Sequence, residues 1–470
     1  MNAISRKELL SALEQAVPRR ILLDSDEAMH PFECDGLSMY RRLPLMVALP
    51  ENAAQVRGIL RTCDRLGVPV VTRGAGTGLS GGALPLENGL LLVLTRMSRI
   101  LELDPVARTV RVEPGVRNLA VSEAAQPHGL YYAPDPSSQI ACSIGGNVAE
   151  NSGGVHCLKY GLTVHNVLEV KLLTIDGEEL VLGGPALDAQ GLDLLAVVNG
   201  SEGMLGVITE VLLRLLPLPE TAQVLLAGFG TIEEAGAAVG AIIGGGIVPA
   251  GLEMMDKLSV EAVEAFIAPG YPRDAAAVLL CELDGGQAEV AEQMDRVTGI
   301  VRAQGATSVT VSQSEDERLR LWAGRKNAFP AVGRMSPDYY CMDGTIPRKH
   351  LARVLNEIEA LSQQYGLPVC NVFHAGDGNL HPLMAFDAAE EGVMDRVEAA
   401  ADELVKVCVA AGGSLSGEHG IGLEKRDLMP LMFSEVDLAA QEQLRSAFDP
   451  RLLANPNKVL PNPATCGDVQ

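Results

Sequence analysis

The sequence predicts an α+β protein with more than one domain. With 470 residues the chain is longer than one hydrophobic core usually organises, so two or three domains are expected. Helix and strand patterns alternate in both halves of the chain, which is typical of helices packed on sheets. The segment "LLPLPE" (215–220) places two prolines directly after a predicted strand and is the best candidate for a domain boundary.

In the first half, residues 52–66 have helical periodicity, and the β-rich run "VPVVTR" follows Gly67. Further strands are predicted at 90–95, 109–113, 167–175 and 206–215, with a helix at 117–125. Unusually long glycine-rich segments connect these elements. The first half is therefore a mixed domain whose connections are candidates for a binding site.

In the second half, three segments have helical patterns: "TIEEAGAAVGAII", "SVEAVEAFI" and "QAEVAEQMDRVTGIVRAQG". They alternate with strands such as "AAVLLCEL", and two more helices are predicted at 348–365 and 391–411. The uncharged run 235–252 is long enough to span a membrane, but three consecutive glycines and Pro249 interrupt it. A helix, a turn and a strand explain this run better than a membrane span.

Composition excludes several classes of protein. The 47% of apolar residues and 21% of charged residues are typical of a soluble globular chain. The net charge of −23 repels phosphate backbones, so nucleic-acid binding is not expected. The nine cysteines form no C-x-x-C pair, so the chain encodes neither a zinc ribbon nor an iron–sulfur cluster. The amino-terminal segment carries charges throughout, unlike a signal peptide, and a cytoplasmic protein is expected.

The first glycine-rich segment, "TRGAGTGLSGG" (72–82), contains the pattern G-x-G-x-x-G at Gly76, Gly78 and Gly81. In a Rossmann fold this pattern opens a helix, whereas here a proline, a glycine and then a strand follow. The chain also lacks the GK[ST] of a nucleotide P-loop. Glycines still permit backbone amides to surround an anion, so the segment suits a pyrophosphate; a turn without a ligand is the alternative.

Two further segments of this kind follow, at 133–154 and 199–209. Long irregular connections are usually functional, so three of them in one domain are difficult to explain as turns. Together they predict a site that surrounds an extended dinucleotide.

Two histidine-containing loops predict a second site. "FHAGDGNLHP" carries His374 and His381, and "GEHGIG" (417–422), which follows another apolar, strand-like run, carries Glu418 and His419. Two imidazoles and one carboxylate with open positions suit zinc, iron or manganese acting as a Lewis acid. The alternative is that both loops are ordinary turns whose side chains are satisfied locally.

The glycine-rich segments resemble the FAD-binding loops of the vanillyl-alcohol-oxidase/PCMH flavoprotein superfamily. The resemblance implies that residues of the first two loops contact FAD and that two residues of the third lie near the adenosine. The implied residues are Arg73, Gly74, Gly76, Thr77, Gly78, Ser80, Gly81, Pro134, Ser138, Cys142, Ser143, Gly145, Gly146 and Asn147, with Gly203 and Ile208 near the adenosine. Some members attach flavin covalently through histidine, for which His156 is the candidate here, but closer relatives bind FAD without a covalent bond.

The histidine loops resemble the C-terminal domain of FAD-linked 2-hydroxyacid dehydrogenases, which include D-lactate and D-2-hydroxyglutarate dehydrogenases. The resemblance implies that His374, His381 and Glu418 bind a divalent ion, often zinc, and that His419 is the general base. It also implies that Arg325, in "LWAGRKNAFPAVG", pairs with the substrate carboxylate; a surface arginine is the alternative. D-2-hydroxyglutarate enzymes have a lysine where this chain has Cys341, which favours a small monocarboxylate substrate.

Nearly the whole chain is similar to the FAD-binding subunits of bacterial glycolate oxidases. The resemblance implies a PCMH-type FAD-binding domain followed by a C-terminal α+β domain of ferredoxin-like type. The expected ranges are an N-terminal helical segment (1–40), the FAD domain (41–217), a substrate- and metal-binding cap (218–425) and a segment that packs back towards the FAD domain (426–470).

The implied reaction is oxidation of glycolate, and of D-lactate as a second substrate, to the 2-oxo acid with hydride passing to FAD. The implied partners are an iron–sulfur subunit and a second FAD-domain subunit, with the quinone pool as indirect acceptor and a peripheral location at the inner face of the membrane. Two alternatives stay open: a stand-alone D-2-hydroxyacid dehydrogenase acting on D-lactate or D-2-hydroxyglutarate, and a flavin-binding module without activity.

Overall fold

The computed structural model describes residues 4–186 and 191–461; the ends of the predicted ranges 1–40 and 426–470 fall partly outside them. The helices are α1 Arg6–Leu13, α2 Asp26–Met29, α3 Ala53–Leu66, α4 Asn118–Ala125, α5 Ile144–Glu150, α6 Cys157–Tyr160, α7 Thr163–Asn166, α8 Leu194–Val198, α9 Ile232–Gly244, α10 Lys257–Phe266, α11 Gln287–Ala303, α12 Glu315–Lys326, α13 Ala328–Val332, α14 Leu351–Tyr365, α15 Val393–Ala410 and α16 Glu435–Phe448.

The strands are β1 Leu22–Leu23, β2 Met46–Ala48, β3 Val70–Arg73, β4 Leu90–Val93, β5 Ile100–Asp104, β6 Thr109–Val112, β7 Leu130–Tyr131, β8 Val167–Leu173, β9 Glu179–Gly183, β10 Val207–Arg214, β11 Leu216–Pro217, β12 Thr221–Phe229, β13 Gly251–Asp256, β14 Ala277–Gly285, β15 Ala306–Val311, β16 Asp338–Cys341, β17 Gly344–Thr345, β18 Val369–His374, β19 Asn379–Leu380 and β20 Pro382–Phe386. The predicted helices and strands are confirmed, with ends that differ by a few residues, except for the strand predicted before residues 417–422.

The described chain divides into two compact units. The first lies within Met1–Gly153, Leu162–Leu218 and His419–Gln470, and the second comprises Gly154–Gly161 and Pro219–Glu418. The chain leaves the first unit between Leu218 and Pro219, within the proline-containing segment 215–220. The second unit ends at Glu418, so two adjacent residues of the "GEHGIG" loop belong to different units.

The first unit contains two main sheets. One has the order β1-β2-β4-β3, in which β2, β4 and β3 are parallel, and the other is antiparallel with the order β5-β6-β10-β8-β9. Helix α3 buries Val56, Ile59 and Leu60 in the same core as strands β2 and β4. Parallel strands need a crossover, and α3 supplies it between β2 and β3.

The C-terminal segment completes the first unit. Asn455 donates its backbone N–H to the Val70 carbonyl of β3 at 2.8 Å, and the buried Lys458 Nζ donates to the Leu84 carbonyl at 2.9 Å. Val459 donates its N–H to the Gly422 carbonyl at 2.8 Å. The last described part of the chain therefore holds both the parallel sheet and the loop that follows His419.

The second unit is built on one large antiparallel sheet. Its order is β15-β12-β14-β13-β18-β19-β17, with β20 joining β18 and β16 joining β20. The apolar run 235–252 forms the end of α9, a turn and the start of β13, as its glycines and Pro249 predict. None of the described helices combines the length and the hydropathy that a membrane crossing requires.

A short segment from the first half of the sequence is part of the second unit. In this segment, Gly154–Gly161, His156 Nε2 lies 3.0 Å from Glu282 Oε1 on β14, and Glu282 Oε2 accepts from Arg318 Nη1 at 2.7 Å. Trp322 Nε1 also donates to Glu282 Oε2. Burial alone would raise the pKa of Glu282, but hydrogen bonds and the charges of His156 and Arg318 lower its pKa to about 2. No sequence pattern placed this segment on the second sheet.

We expect Glu282→Gln to destabilise the protein by about 3 kcal/mol at neutral pH, since it breaks a buried ionic network. A lowered carboxyl pKa stabilises the fold above pH 4.5, and that stabilisation disappears as the pH falls towards 2. The difference from wild type should therefore shrink over that interval. Urea unfolding followed by fluorescence of Trp322, the chain's single tryptophan, measures it. An equal difference at pH 7 and pH 3 would contradict the assignment.

Candidate active site

A β-hairpin explains the seven-residue spacing of His374 and His381. His374 is the last residue of β18 and pairs with Asn379 of β19, so the chain reverses over residues 375–378. Gly378 has φ +81°, and a Cβ there would lie 2.1 Å from the Ile346 carbonyl oxygen, so only glycine fits this turn. The reversal places the two imidazole rings edge to face with centroids 5.1 Å apart.

Glu418 reaches the same place from a distant loop. A strand before this loop was predicted, and that prediction is wrong: the chain leaves α15 as an irregular segment with one isolated bridge between Ser414 and Thr345. A Cβ on Gly413 would lie 1.7 Å from the Thr345 oxygen, so the backbone approaches too closely for an ordinary strand pair. Asp343 then orients the loop, because its carboxylate accepts the N–H groups of Gly417 and Glu418 at 3.0 and 3.3 Å.

The Glu418 carboxylate lies between the two imidazoles. Its Oε1 is 2.8 Å from His381 Nε2 and 3.4 Å from His374 Nε2, and its side chain is 14% exposed. Burial alone would raise the pKa of Glu418, but hydrogen bonds from the two histidines hold it well below its usual value. The carboxylate is therefore ionised at neutral pH.

A second carboxylate lies behind His374. Strand β13 pairs Glu253 directly with His374 of β18, and Glu253 Oε1 accepts from His374 Nδ1 at 2.7 Å. Its other oxygen accepts from Arg325 Nε at 2.7 Å. Glu253 is 0% exposed; burial alone would raise its pKa, but the charges of His374 and Arg325 lower it. Burial opposes protonation of His374, yet Glu253 and Glu418 raise the pKa of this imidazole well above its usual value.

The three converging side chains fit a divalent cation. The ligand atoms of His374, His381 and Glu418 lie within 4.8 Å of one another. Tetrahedral zinc with bonds of about 2.1 Å separates its ligand atoms by about 3.4 Å, close to the 3.4 Å between His374 and Glu418. Two nitrogens and one oxygen leave a position for a substrate oxygen, which is the donor set of catalytic rather than structural zinc.

His419, the predicted base, is followed by a loop whose backbone is hydrogen-bonded to the buried carboxylate of Glu202 within the first unit. Glu202 accepts the backbone N–H groups of Ile421 and Gly422, both at 2.7 Å. Glu202 has φ +49°, an unfavourable conformation for a residue with a side chain, which the surrounding contacts must impose. Burial raises its pKa to about 7. Hydrogen bonds to Glu202 therefore fix the backbone of the loop after His419.

The structure brings the three glycine-rich segments together within the first unit. A Cβ on Gly74 would lie 2.3 Å from Ser143 Oγ at the start of α5, and one on Gly82 would lie 3.5 Å from Glu202 Oε2 in the third segment. Asn455 Nδ2 donates to the carbonyls of Gly82 and Glu202 at 2.9 and 2.6 Å. Residues more than a hundred positions apart therefore form one glycine-rich surface.

This surface fits a phosphate-containing cofactor. The hydroxyls of Ser80 and Ser143 are buried and, among residues 4–186 and 191–461, have no hydrogen-bond partner. A buried polar group without a partner is costly, so both hydroxyls are placed to donate to a ligand. Position 145 also excludes a side chain, because a Cβ added to Gly145 would lie 2.6 Å from Pro114 Cβ. Backbone can therefore approach a pyrophosphate closely.

Other predicted contacts have different surroundings. The Arg73 guanidinium folds back to donate to the Cys34 carbonyl at 2.5 Å, and burial lowers its pKa. Asn147 Nδ2 donates to Cys142 Sγ at 3.4 Å, and Asn118 links Asn147 to Pro134. The remaining residues lie as follows: Gly76, Thr77, Gly78 and Gly81 in the irregular segment after β3, Ser138 before α5, Gly146 in α5, Gly203 before β10, and Ile208 in β10, where its side chain packs in the core.

Comparisons with known proteins identify the family of the chain. The family "FAD linked oxidases, C-terminal domain" matches residues 218–459, and "FAD binding domain" matches residues 44–183. The chain is 60% identical over 465 residues to glycolate oxidase subunit GlcD of Escherichia coli K12, covering 99% of this chain and 93% of that protein. The chain belongs to the FAD-linked oxidase family.

Two other relatives of this FAD-linked oxidase are more distant. It is 38% identical to GlcD of Bacillus subtilis over 437 residues, covering 93% of each chain, and 31% identical to a D-lactate dehydrogenase of Anaerostipes hadrus over 469 residues, covering 96% of this chain and 97% of that one. The structure of p-cresol methylhydroxylase with substrate bound has a TM-score of 0.80 at 14% identity, covering 97% of both chains. This structural similarity and the two family matches confirm the predicted PCMH-type α+β fold. The family matches and the bacterial relative also confirm the prediction that the chain is an FAD-dependent oxidoreductase.

Three residues of the site were not found from the sequence. Glu253 accepts from His374, Asp343 accepts from the backbone of the Glu418 loop, and Glu202 accepts from the backbone of the loop after His419. Glu253 had a detectable signal, because a lone glutamate interrupts the apolar strand "GLEMM". Such a glutamate is expected to have a buried charged partner.

Proposed function

We propose that this FAD-linked oxidase converts glycolate, and D-lactate as a second substrate, to the corresponding 2-oxo acid. The observation that carries the proposal is the convergence of His374, His381 and Glu418, with His419 next in sequence, in a chain 60% identical to a glycolate oxidase subunit. The similarity to a D-lactate dehydrogenase supports the second substrate. In this proposal the divalent cation, zinc with iron or manganese as alternatives, supplies a Lewis acid, and non-covalent FAD supplies the hydride acceptor.

The protein's own residues divide the remaining work. His374, His381 and Glu418 hold the cation, and an imidazole whose other nitrogen donates to a carboxylate keeps a lone pair for the metal. His419 accepts the proton of the substrate hydroxyl. The hydride departs from the carbon that bears this hydroxyl. One proton and one hydride are removed, so the alcohol becomes a carbonyl.

Arg325 pairs with the substrate carboxylate in this proposal. Its Nε already donates to Glu253, so recognition falls to the two terminal nitrogens, whose fork matches a carboxylate. The side chain is 3% exposed, which excludes the alternative of an ordinary surface arginine. Desolvation strengthens its attraction for an anion.

Electrons must then leave the flavin through another molecule. The sequence carries no cysteine cluster for iron and sulfur, and the cysteines among the described residues form no disulfide. The name of the bacterial relatives, a subunit of glycolate oxidase, supports an assembly. We therefore propose an iron–sulfur subunit and a second FAD-domain subunit as partners, with the quinone pool as indirect acceptor and a peripheral position at the inner membrane face. A stand-alone D-2-hydroxyacid dehydrogenase is the second candidate, favoured by the D-lactate dehydrogenase relative.

Anaerobic reduction of the bound flavin by glycolate, D-lactate and D-2-hydroxyglutarate tests the substrate. Cys341, at the end of β16, is buried, and its thiol offers a distal carboxylate no cationic partner such as a lysine. We expect glycolate to be preferred over D-2-hydroxyglutarate by at least about 100-fold in the ratio of the flavin-reduction rate constant to the dissociation constant. The reason is that the second carboxylate of D-2-hydroxyglutarate would be buried without a cationic partner. Cys341→Lys should narrow this preference. Equal reduction by all three acids in the wild type would contradict the proposal, as would purified protein that carries no flavin.

A further inference from the structure

We infer that Glu253 is a positioning residue that holds a metal ligand and the substrate-binding arginine at the same time. The inference rests on the proposed function of His374 and Arg325 and concerns the carboxylate that contacts both of them. The two oxygens of Glu253 have separate tasks: Oε1 accepts from His374 Nδ1 and Oε2 accepts from Arg325 Nε, each at 2.7 Å.

The burial of Glu253 requires a compensating arrangement. The residue lies on a central strand of the second sheet and is 0% exposed, and an isolated carboxylate there would be strongly destabilising. The sheet register pairs Glu253 with His374 across β13 and β18, so the backbone fixes the distance between carboxylate and imidazole. Helix α12 brings Arg325 to the other oxygen. Strand pairing and helix packing thus determine the geometry, which a loop would not achieve as rigidly.

Each bond has a consequence for the proposed chemistry. The bond to His374 keeps the Nδ1 proton on the Glu253 side, so a cation at Nε2 would displace only the Nε2 proton and bind the lone pair left there, and it fixes the ring plane towards Glu418. The bond to Nε leaves only the terminal nitrogens of Arg325 for a substrate and removes rotational freedom from the guanidinium. One carboxylate therefore sets the relative position of the proposed cation and the proposed carboxylate-binding group.

The chain contains a matched control for this network. Glu282, on the adjacent strand β14, is also buried and is also bonded to one histidine and one arginine, His156 and Arg318. Arg318 and Arg325 both come from α12 and are two helical turns apart. Glu282→Gln removes the same kind of buried ionic network in the same sheet, but His156, Arg318 and Trp322, which bond to Glu282, are not proposed metal ligands.

The test compares zinc affinity and glycolate kinetics in FAD-loaded wild type, Glu253→Gln and Glu282→Gln. Zinc affinity is measured by competition with a chromophoric chelator, which requires no turnover. We expect Glu253→Gln to weaken zinc binding by about 10- to 100-fold, the usual effect of removing a carboxylate behind a metal-bound histidine. It should also raise KM for glycolate when zinc is saturating. Glu282→Gln should lower the unfolding midpoint without changing zinc affinity.

The outcomes separate this inference from the proposed function. Wild type that binds no zinc, iron or manganese would overturn the proposed metal site itself. Wild type that binds zinc, with Glu253→Gln binding it equally and with unchanged KM, would overturn only the role of Glu253. If Glu253→Gln does not fold, Glu253→Asp serves, since it keeps the charge but is too short for both 2.7 Å bonds. Wild-type zinc affinity and KM in that variant would also refute the inference.

Discussion

Replacement of His419 by glutamine is expected to lower the rate constant of flavin reduction by glycolate by about 10²–10⁴-fold, the usual contribution of a general base. Glutamine keeps the approximate size and hydrogen-bonding capacity of histidine but does not accept a proton at neutral pH. The loop itself should be preserved, because Glu202 binds the backbone of Ile421 and Gly422 and not the His419 side chain. Anaerobic stopped-flow measurement of flavin bleaching checks the rate.

The pH profile and a control variant distinguish a base from a structural residue. In wild type the rate should rise with pH as one group deprotonates, and in His419→Gln this dependence should disappear. His128→Gln, at an exposed position in the first unit, should reduce flavin at the wild-type rate. A His419→Gln protein that is bleached by glycolate as fast as wild type would refute the assignment.

Removal of the proposed metal is expected to lower turnover by at least about 10³-fold while the protein stays yellow. A Lewis acid supplies several kcal/mol of charge stabilisation in the transition state, and a factor of ten in rate corresponds to about 1.4 kcal/mol. The flavin should remain, because the predicted FAD contacts lie on the glycine-rich segments of the first unit, whereas His374, His381 and Glu418 belong to the second. Chelator treatment followed by activity and absorbance measurements checks both effects.

Zinc reconstitution and the variant His381→Ala serve as controls for the metal-removal experiment. Zinc returned to the chelated protein should restore turnover, and His381→Ala should be inactive with or without added zinc. Elemental analysis of wild type identifies the ion. Full activity in protein free of divalent metal would end the proposal, whereas flavin loss on chelation would mean that the metal is structural. Turnover in untreated protein also excludes the alternative of an inactive flavin-binding module.

Local sequence patterns predicted much of this fold. The strand before Gly74, the long connection after it and the strand at Leu90–Val93 follow from apolar runs and glycines, and the same features exclude a Rossmann helix. The break in residues 235–252 follows from three glycines and Pro249. These features depend on residues close in sequence, for which periodicity and turn preferences are informative.

The supporting residues of the site were beyond such patterns. Glu253 meets His374 only because β13 and β18 pair in one register, across 121 positions of sequence. The docking of Gly154–Gly161 on the second sheet depends on Glu282, which is also remote in sequence. The register of distant strands is set by global packing, which no short motif encodes. The two histidine loops and their resemblance to a known family predicted the set His374, His381 and Glu418, but not the carboxylates Glu253 and Asp343 that contact it.

The contacts of the C-terminal segment constrain when this protein acquires its structure during synthesis. The parallel sheet binds Asn455, the Leu84 carbonyl binds Lys458, and the loop after His419 binds Val459. The ribosome must therefore release the chain as far as Val459 before the first unit can close, although the strands of the parallel sheet emerge much earlier. Chains that terminate before Asn455 would leave the edge of the parallel sheet at β3 uncovered, and the loop after His419 would lack its bond to Val459.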